Sequence, residues 1–215
     1  MNILIFQVNP LQENCYVVSD ETQEAVIIDC GALYDTERAA IVNYLKSHSL
    51  KPVHLLCTHG HFDHAFGNDT IYAEYGLKPE IHANDADMIA DLAKQCDEMG
   101  MGIGFKNPSP PIGRLLADGD LITFGNHQLQ VIHTPGHSKG GACFYCKEEN
   151  KVFTGDTLFK MSVGRTDLPG GSWEQLMDSL ATRIAVLPQE TTVYPGHGPT
   201  TTIQEEMRFN PYLKI

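Results

Sequence analysis

Basic residues are scarce in this sequence. Fifteen lysines and arginines stand against 27 aspartates and glutamates, a formal net charge of −12 over 215 residues. A field of that sign attracts neither phosphate backbones nor anionic lipid, so no nucleic acid and no membrane are expected as partners. It leaves room for a local cationic pocket, which bound metal would create. Long apolar runs are missing too. The N-terminal "MNILIFQVNPLQEN" has no basic n-region and no small-residue cleavage site, and its apolar run of about five residues is too short for a signal or a membrane span.

There is no disulfide framework either. Six cysteines, at 15, 30, 57, 96, 143 and 146, are scattered through a chain large enough to need no staples. Reduced, buried thiols in a cytoplasmic protein are expected. "CFYC", 143–146, has zinc-knuckle spacing but no second pair, and reads better as two strand residues. The glycines of "MGMGIGFKNPSPP", 99–111, superficially suggest a dinucleotide loop, but prolines follow where that motif needs a helix. The stretch is expected to be a mobile loop and a substrate-side lid. No close internal repeat is visible. With 42% hydrophobic and 20% charged residues, one soluble domain over 1–215 is expected, its oligomeric state open.

What is present is a series of short apolar runs and turns. "ILIFQV" (3–8), "NCYVVSD" (14–20) and "AVIIDCG" (25–31) predict antiparallel strands. A helix fits 35–50 with Asp35 as cap, followed by a buried strand, "PVHLLC", at 52–57. Helices are predicted from about 64 to 75 and over 84–100, and strands at 121–124, 129–133, 142–146 and 151–155. A helix over 171–187, capped by Ser172 and ended by Pro188, precedes a last strand, "TTVYPG", and a short helix from about 201. The order implies two sheets sandwiched between helices, an α+β class, with functional loops at strand ends.

Directly after the strand 52–57 comes "THGHFDH", which packs His59, His61, Asp63 and His64 into one loop. A His-rich polar turn is the bland reading; imidazole and carboxylate are also the usual ligands of a divalent metal. Three further apolar strands end in a ligand-capable residue framed by glycine: His137 in "TPGHS", Asp156 in "FTGDT" and His197 in "YPGHGP". Seven candidates from four strand ends suffice for two ions. In an extended segment residues two apart point the same way, so His59 and His61 can grip one ion. Asp63 and His64, where the loop turns, can face another. A carboxylate has two oxygens and can bridge cations about 3.5–4 Å apart, whereas a neutral imidazole has one free lone pair. Asp156, the carboxylate among the distant candidates, is the natural bridge.

The pattern T-H-x-H-x-D-H with a distant His, Asp and His resembles the metallo-β-lactamase-fold hydrolases over essentially the whole chain. "HTPGHSKG", "TGDTLFKMSVGRTDLPGG" and "YPGHGPTTT" are most similar to the single-domain glyoxalase II-like, or hydroxyacylglutathione hydrolase-like, branch. The resemblance implies a four-layer αβ/βα sandwich of two mixed sheets, with the metals in a shallow groove at one edge. It assigns His59, His61, His137 and Asp156 to one ion, and Asp63, His64, His197 and the same Asp156 to the other. It makes Asp29 in "IIDCG" an orienting residue, although a turn-capping Asp is a second reading. Full-length glyoxalase II enzymes continue into a helical region that supplies much of the glutathione contact; this chain ends at Ile215 and resembles the shorter members.

The implied activity is metal-dependent hydrolysis of S-lactoylglutathione or other small acyl thioesters through a metal-bridging hydroxide, with Asp63 and Asp156 as the catalytic carboxylates. Two divalent ions are implied, zinc first, with iron or manganese as alternatives. Lys160 and Arg165 are the candidate substrate contacts, but Arg165 reads first as a structural partner of Asp167 or a loop carbonyl. Lys139 can meet a substrate carboxylate or stand in solvent, Tyr194 fits strand core, and His133 is a candidate orienting residue. His48, His54, His82 and His127 are expected to be structural. The rival function is a mononuclear-iron persulfide dioxygenase of the same superfamily. "YPGHGPTTT" is more similar to the hydrolases, since the dioxygenases show an Ala-His-Asp-Tyr-like string there. A non-catalytic metal-binding protein is the third reading.

Overall fold

Alternation within each strand decides the layering. In β2 (Glu13–Ser19), Tyr16 and Val18 point into one apolar core while Cys15 and Val17 point into another. In β3 (Glu24–Ile28), Val26 and Ile28 share the first core, and Ala25 and Ile27 the second. A sheet covered on both faces needs apolar residues at nearly every position, which is why these strands read as continuous hydrophobic runs. Each fully buried Ile, Leu or Phe contributes roughly 1.5–3 kcal/mol of transfer free energy.

The computed structural model describes residues 1–100, 105 and 107–213. One six-stranded sheet starts with β1 (Asn2–Val8), β2 and β3 as antiparallel neighbours. It continues in parallel through β4 (Lys51–Cys57), β5 (Pro79–His82) and β6 (Arg114–Leu116). The second sheet uses β7 (Leu121–Phe124), β8 (His127–His133), β9 (Ala142–Cys146), β10 (Lys151–Gly155), β13 (Thr192–Pro195) and β14 (Thr201–Thr202). Its order is β14-β13-β10-β9-β8-β7, with only the β10–β13 pair parallel. A two-stranded ribbon, β11 (Leu158–Phe159) with β12 (Ser162–Val163), follows β10.

Tyr16, Val26 and Leu56 of the first sheet meet Phe124, Phe144 and Phe153 of the second in the central core. Outside the first sheet, Ile41 and Leu45 of α1 (Asp35–Ser47) and Ile71 of α2 (Asn68–Tyr75) cover Val17, Ile27 and Leu55. Outside the second, Leu176 of α5 (Trp173–Ser179) and Ile203 of α6 (Ile203–Phe209) cover Cys143, Val152 and Val193. The fold is therefore the expected αβ/βα sandwich. At one edge, α3 (Ala86–Ile89) and α4 (Leu92–Glu98) pack Ile89, Leu92 and Cys96 on Phe62, Phe66 and Ile81.

Several local expectations change. The helix predicted from 64 is a 3₁₀ turn at Phe62–His64 and then α2 from Asn68, because Arg38 binds the Phe66 carbonyl and holds the intervening chain out of a helix. The helix over 84–100 divides at Asp91, whose side chain accepts from the Lys94 N–H and caps a new start. Asp35 is inside α1 rather than its cap; Glu37 accepts the Leu33 and Tyr34 N–H groups instead. Ser172 caps α5 as expected, but α5 passes into a π turn at Leu180–Ile184. Part of the proposed lid, 101–104 and 106, lies outside the described residues.

Candidate metal centre

Strands β4, β10 and β13 run parallel within their sheets, and the chain after each delivers ligand-capable side chains to one edge of the sandwich. β4 leads into His59, His61, Asp63 and His64, β10 into Asp156, and β13 into His197; His137 comes from the β8–β9 connection. Two glycines make the approach possible. Gly155 turns the chain at φ +48°, and a Cβ there would lie 2.2 Å from Thr58 Oγ1. A Cβ at Gly196 would lie 2.3 Å from Asp156 Oδ1. A larger residue at either position would collide with the centre.

Each of four imidazoles is fixed through Nδ1, and the partners set the tautomers. Asp29 Oδ2 accepts from Thr58 Oγ1 at 2.6 Å, so the hydroxyl can accept from His59 Nδ1 at 3.0 Å. The same Asp29 oxygen accepts from His64 Nδ1 at 3.1 Å. His137 Nδ1 donates to the Arg165 carbonyl at 2.7 Å, and His197 Nδ1 to the Leu11 carbonyl at 3.0 Å. In every case Nε2 is left as the inward lone pair. His61 turns its Nδ1 to within 2.9 Å of His137 Nε2.

The inward atoms form two clusters. His59, His61 and His137 offer nitrogens that all lie within 4.8 Å of one another, and so do the ligand atoms of Asp63, His64 and His197. Asp156 stands between them. Its Oδ2 is 3.5 Å from His137 Nε2, and its Oδ1 is 3.4 Å from His64 Nε2 and 3.8 Å from His197 Nε2. Asp63 Oδ2 is 3.4 Å from His197 Nε2. His59 Nε2, His64 Nε2 and Asp156 Oδ1 are buried without a hydrogen-bond partner. Orphaned lone pairs of this kind, aimed at common points, fit a pair of divalent cations.

Electrostatics separate the two clusters. Burial drives His59 well below its ordinary value and, with His137 beside it, drives His61 down to about 4. Burial acts the same way on His64, but the facing Asp156 and Asp63 carboxylates outweigh it and raise that imidazole; the bond to Asp63 does so for His197. Burial would raise Asp156, and His64 overcomes it to hold the carboxyl below the usual range.

Glu13 and Asp85 are buried site residues that the sequence reading did not single out. Both Glu13 oxygens lack a hydrogen-bond partner, and one lies 3.9 Å from His64 Nδ1. Burial raises its carboxyl well above the ordinary value. Its place beside "NCYVV" in an apolar strand is the available signal. Arg165 makes a bidentate bond to Asp167, both side chains exposed, while its carbonyl holds His137. Lys160 is exposed and 3.9 Å from Glu205. His133 stacks on His82 at 4.0 Å and bonds the Lys139 carbonyl, away from the two clusters. Tyr194 packs on Phe153 and Tyr16. Cys143 and Cys146 are free thiols in different cores.

The family model of the metallo-beta-lactamase superfamily matches residues 8–197. The chain belongs to that superfamily. It is 32% identical over 222 residues to the hydroxyacylglutathione hydrolase GloC of Haemophilus influenzae, covering 99% of this chain and 98% of that protein. Among solved structures it is similar to BLEG-1, a B3 metallo-beta-lactamase, at TM-score 0.89, 36% identity and full coverage of both chains. TTHA1623, solved in a di-iron-bound form, gives TM-score 0.85 and 37% identity over 98% of this chain and 100% of that one. ETHE1 from Myxococcus xanthus gives 0.79 and 28% over 98% and 84%.

Proposed function

We propose that this protein is a metal-dependent thioester hydrolase acting on small acyl thioesters, S-lactoylglutathione among them. The observation that carries the reading is Asp156, whose two oxygens address two separate ligand clusters. His59, His61, His137 and Asp156 would hold one ion, and Asp63, His64, His197 and Asp156 the other. Bound there, such ions would supply Lewis acidity, lowering the pKa of a water from about 15.7 towards 7 and polarising a carbonyl. The chain's own contribution is preorganisation. Asp29 and Thr58 hold His59 and His64, and the Arg165 and Leu11 carbonyls hold His137 and His197, so these four imidazoles need no reorientation during reaction. Asp63 would accept a hydrogen bond from the attacking water. A groove of about 500 Å³ opens beside His61, walled in part by Phe62, Met88, Met99 and Leu168, and gives room for an acyl chain.

The leaving group favours a thioester. A thiol with an ordinary pKa near 8.5 departs without a proton donor, whereas a lactam nitrogen needs one. The name of GloC supports the same reading. The similarity to ETHE1 supports the second reading, a mononuclear-iron persulfide dioxygenase.

The test is metal analysis of the purified protein together with kcat/KM for S-lactoylglutathione, acyl thioesters of simple thiols, a β-lactam and glutathione persulfide. Hydrolysis of several thioesters is expected, with less than about 10⁴-fold preference for the glutathione ester, lost on chelation and restored by metal. Oxygen consumption with the persulfide, one bound iron and no thioester hydrolysis would hand the case to the dioxygenase. Faster turnover of the β-lactam than of any thioester would make the protein a lactamase.

A further inference from the structure

Asp85 lies in the 3₁₀ turn Ala83–Asp85 that follows β5, and its side chain is fully buried. It ligates nothing in either cluster, yet three donors converge on its carboxylate. Oδ2 accepts from the Gly60 N–H at 3.0 Å and from Ser138 Oγ at 2.6 Å. Oδ1 accepts from the Gly140 N–H at 2.6 Å. Gly60 is the residue between His59 and His61, and Ser138 is the residue after His137. One carboxylate therefore ties together the two loops that carry all three imidazoles of the first cluster.

The loops come from different sheets, β4 in one and the β8–β9 connection in the other, so the tie also spans the sandwich at its ligand-bearing edge. The surroundings are built for close approach. A Cβ at Gly140 would lie 2.7 Å from Asp85 Cγ, and one at Gly60 would lie 2.9 Å from the Asp85 carbonyl. The Gly60 carbonyl is held in turn by Gln95 Nε2 at 2.9 Å. The backbone between His59 and His61 is thus fixed through both its N–H and its C=O groups. No such strut reaches from Asp85 to the second cluster: Asp63 and His64 sit in the following turn, and His197 is held by Leu11.

We propose that Asp85 is a positioning residue for the first metal site, setting the separation of His59 and His61 from His137 and hence the affinity of that site over the other. The proposal rests on the two-ion reading of the centre, and titration of the unaltered protein tests that reading separately: fewer than two ions bound there would end the two-ion reading before any variant is compared. The measurement is competitive metal titration of the full chain with zinc as the probe, resolving both sites, on Asp85→Asn and Ser138→Ala. The amide keeps the shape but offers N–H groups where acceptors are needed; Ser138→Ala removes one donor and leaves the carboxylate. Asp85→Asn should weaken the first site by about 10- to 100-fold, the usual effect of losing a group that orients ligands, and leave the second within about twofold. Ser138→Ala should weaken the same site by a smaller factor. Unchanged affinity at both sites in Asp85→Asn, with a lowered melting temperature, would reduce Asp85 to a fold residue and overturn the proposal. An equal fall at both sites would do the same.

Discussion

Strand β4 and the loop that follows it carry histidines of two kinds. His54, within the strand, has a partner for each ring nitrogen: Glu80 on Nδ1 and the Thr123 carbonyl on Nε2, the latter at 3.1 Å. His64, in the turn beyond the strand, has Asp29 on Nδ1 and no hydrogen-bond partner on a fully buried Nε2. Both imidazoles touch a carboxylate, so contact with an acid does not distinguish them. The leftover lone pair does. Burying a polar atom without a partner costs free energy, and a protein tolerates it where a ligand will satisfy the atom. At His54 every polar atom is accounted for, which makes it a link between the sheets. At the ligand edge His59, His64 and Asp156 each leave an atom unpaired.

The contrast breaks most severely at Asp156. Asp156→Ala should lower the content of both ions together and reduce kcat/KM by at least about 10³-fold, the scale of several kcal/mol of lost charge stabilisation. Metal analysis and turnover on one preparation check it. Two bound ions with near-normal turnover would mean that Asp156 does not link the clusters. Smaller and more selective effects are expected from single imidazoles. His59→Ala should weaken the first site, and His197→Ala the second, each by more than about 100-fold while the other ion remains. Wild-type stoichiometry in either variant would remove that residue from the ligand set.

Much of the site is legible in the sequence alone. The candidate ligands sit close together in one loop or behind Pro-Gly and Gly turns, and local signals of that sort survive in sequence. The two-faced strands announced themselves as continuous apolar runs because both sheets are covered on both sides. Other features had no local signal. β5 is four residues long and includes proline, and β6 begins with an exposed arginine, so neither shows strand patterning. Asp85 draws its donors from 25, 53 and 55 residues away in sequence. Its role is a product of the packing of two sheets, and nothing in "HANDAD" marks it. Asp91 and Asp85 look equivalent in sequence, yet one caps a helix and the other spans the sandwich.

The smallest effect is expected at the satisfied histidine, and its sign is informative. The bond to Glu80 raises the His54 imidazole above its ordinary value against the opposing effect of burial. A group whose folded pKa is raised contributes stability that is fully present below the unfolded value, about 6.5, and is lost as pH rises through the folded one. His54→Gln should therefore cost about 1 kcal/mol at about pH 6, the scale of a partly exposed ion pair. The deficit should shrink towards the loss of a neutral hydrogen bond at about pH 9. Chemical denaturation of both proteins at the two pH values, with metal content held equal, measures the difference. Metal stoichiometry should be unaltered, because neither His54 nitrogen points towards the centre. A deficit that grew with pH would mean that the Glu80 contact does not stabilise the imidazolium. Loss of metal in this variant would erase the distinction between His54 and the histidines of the loop after β4.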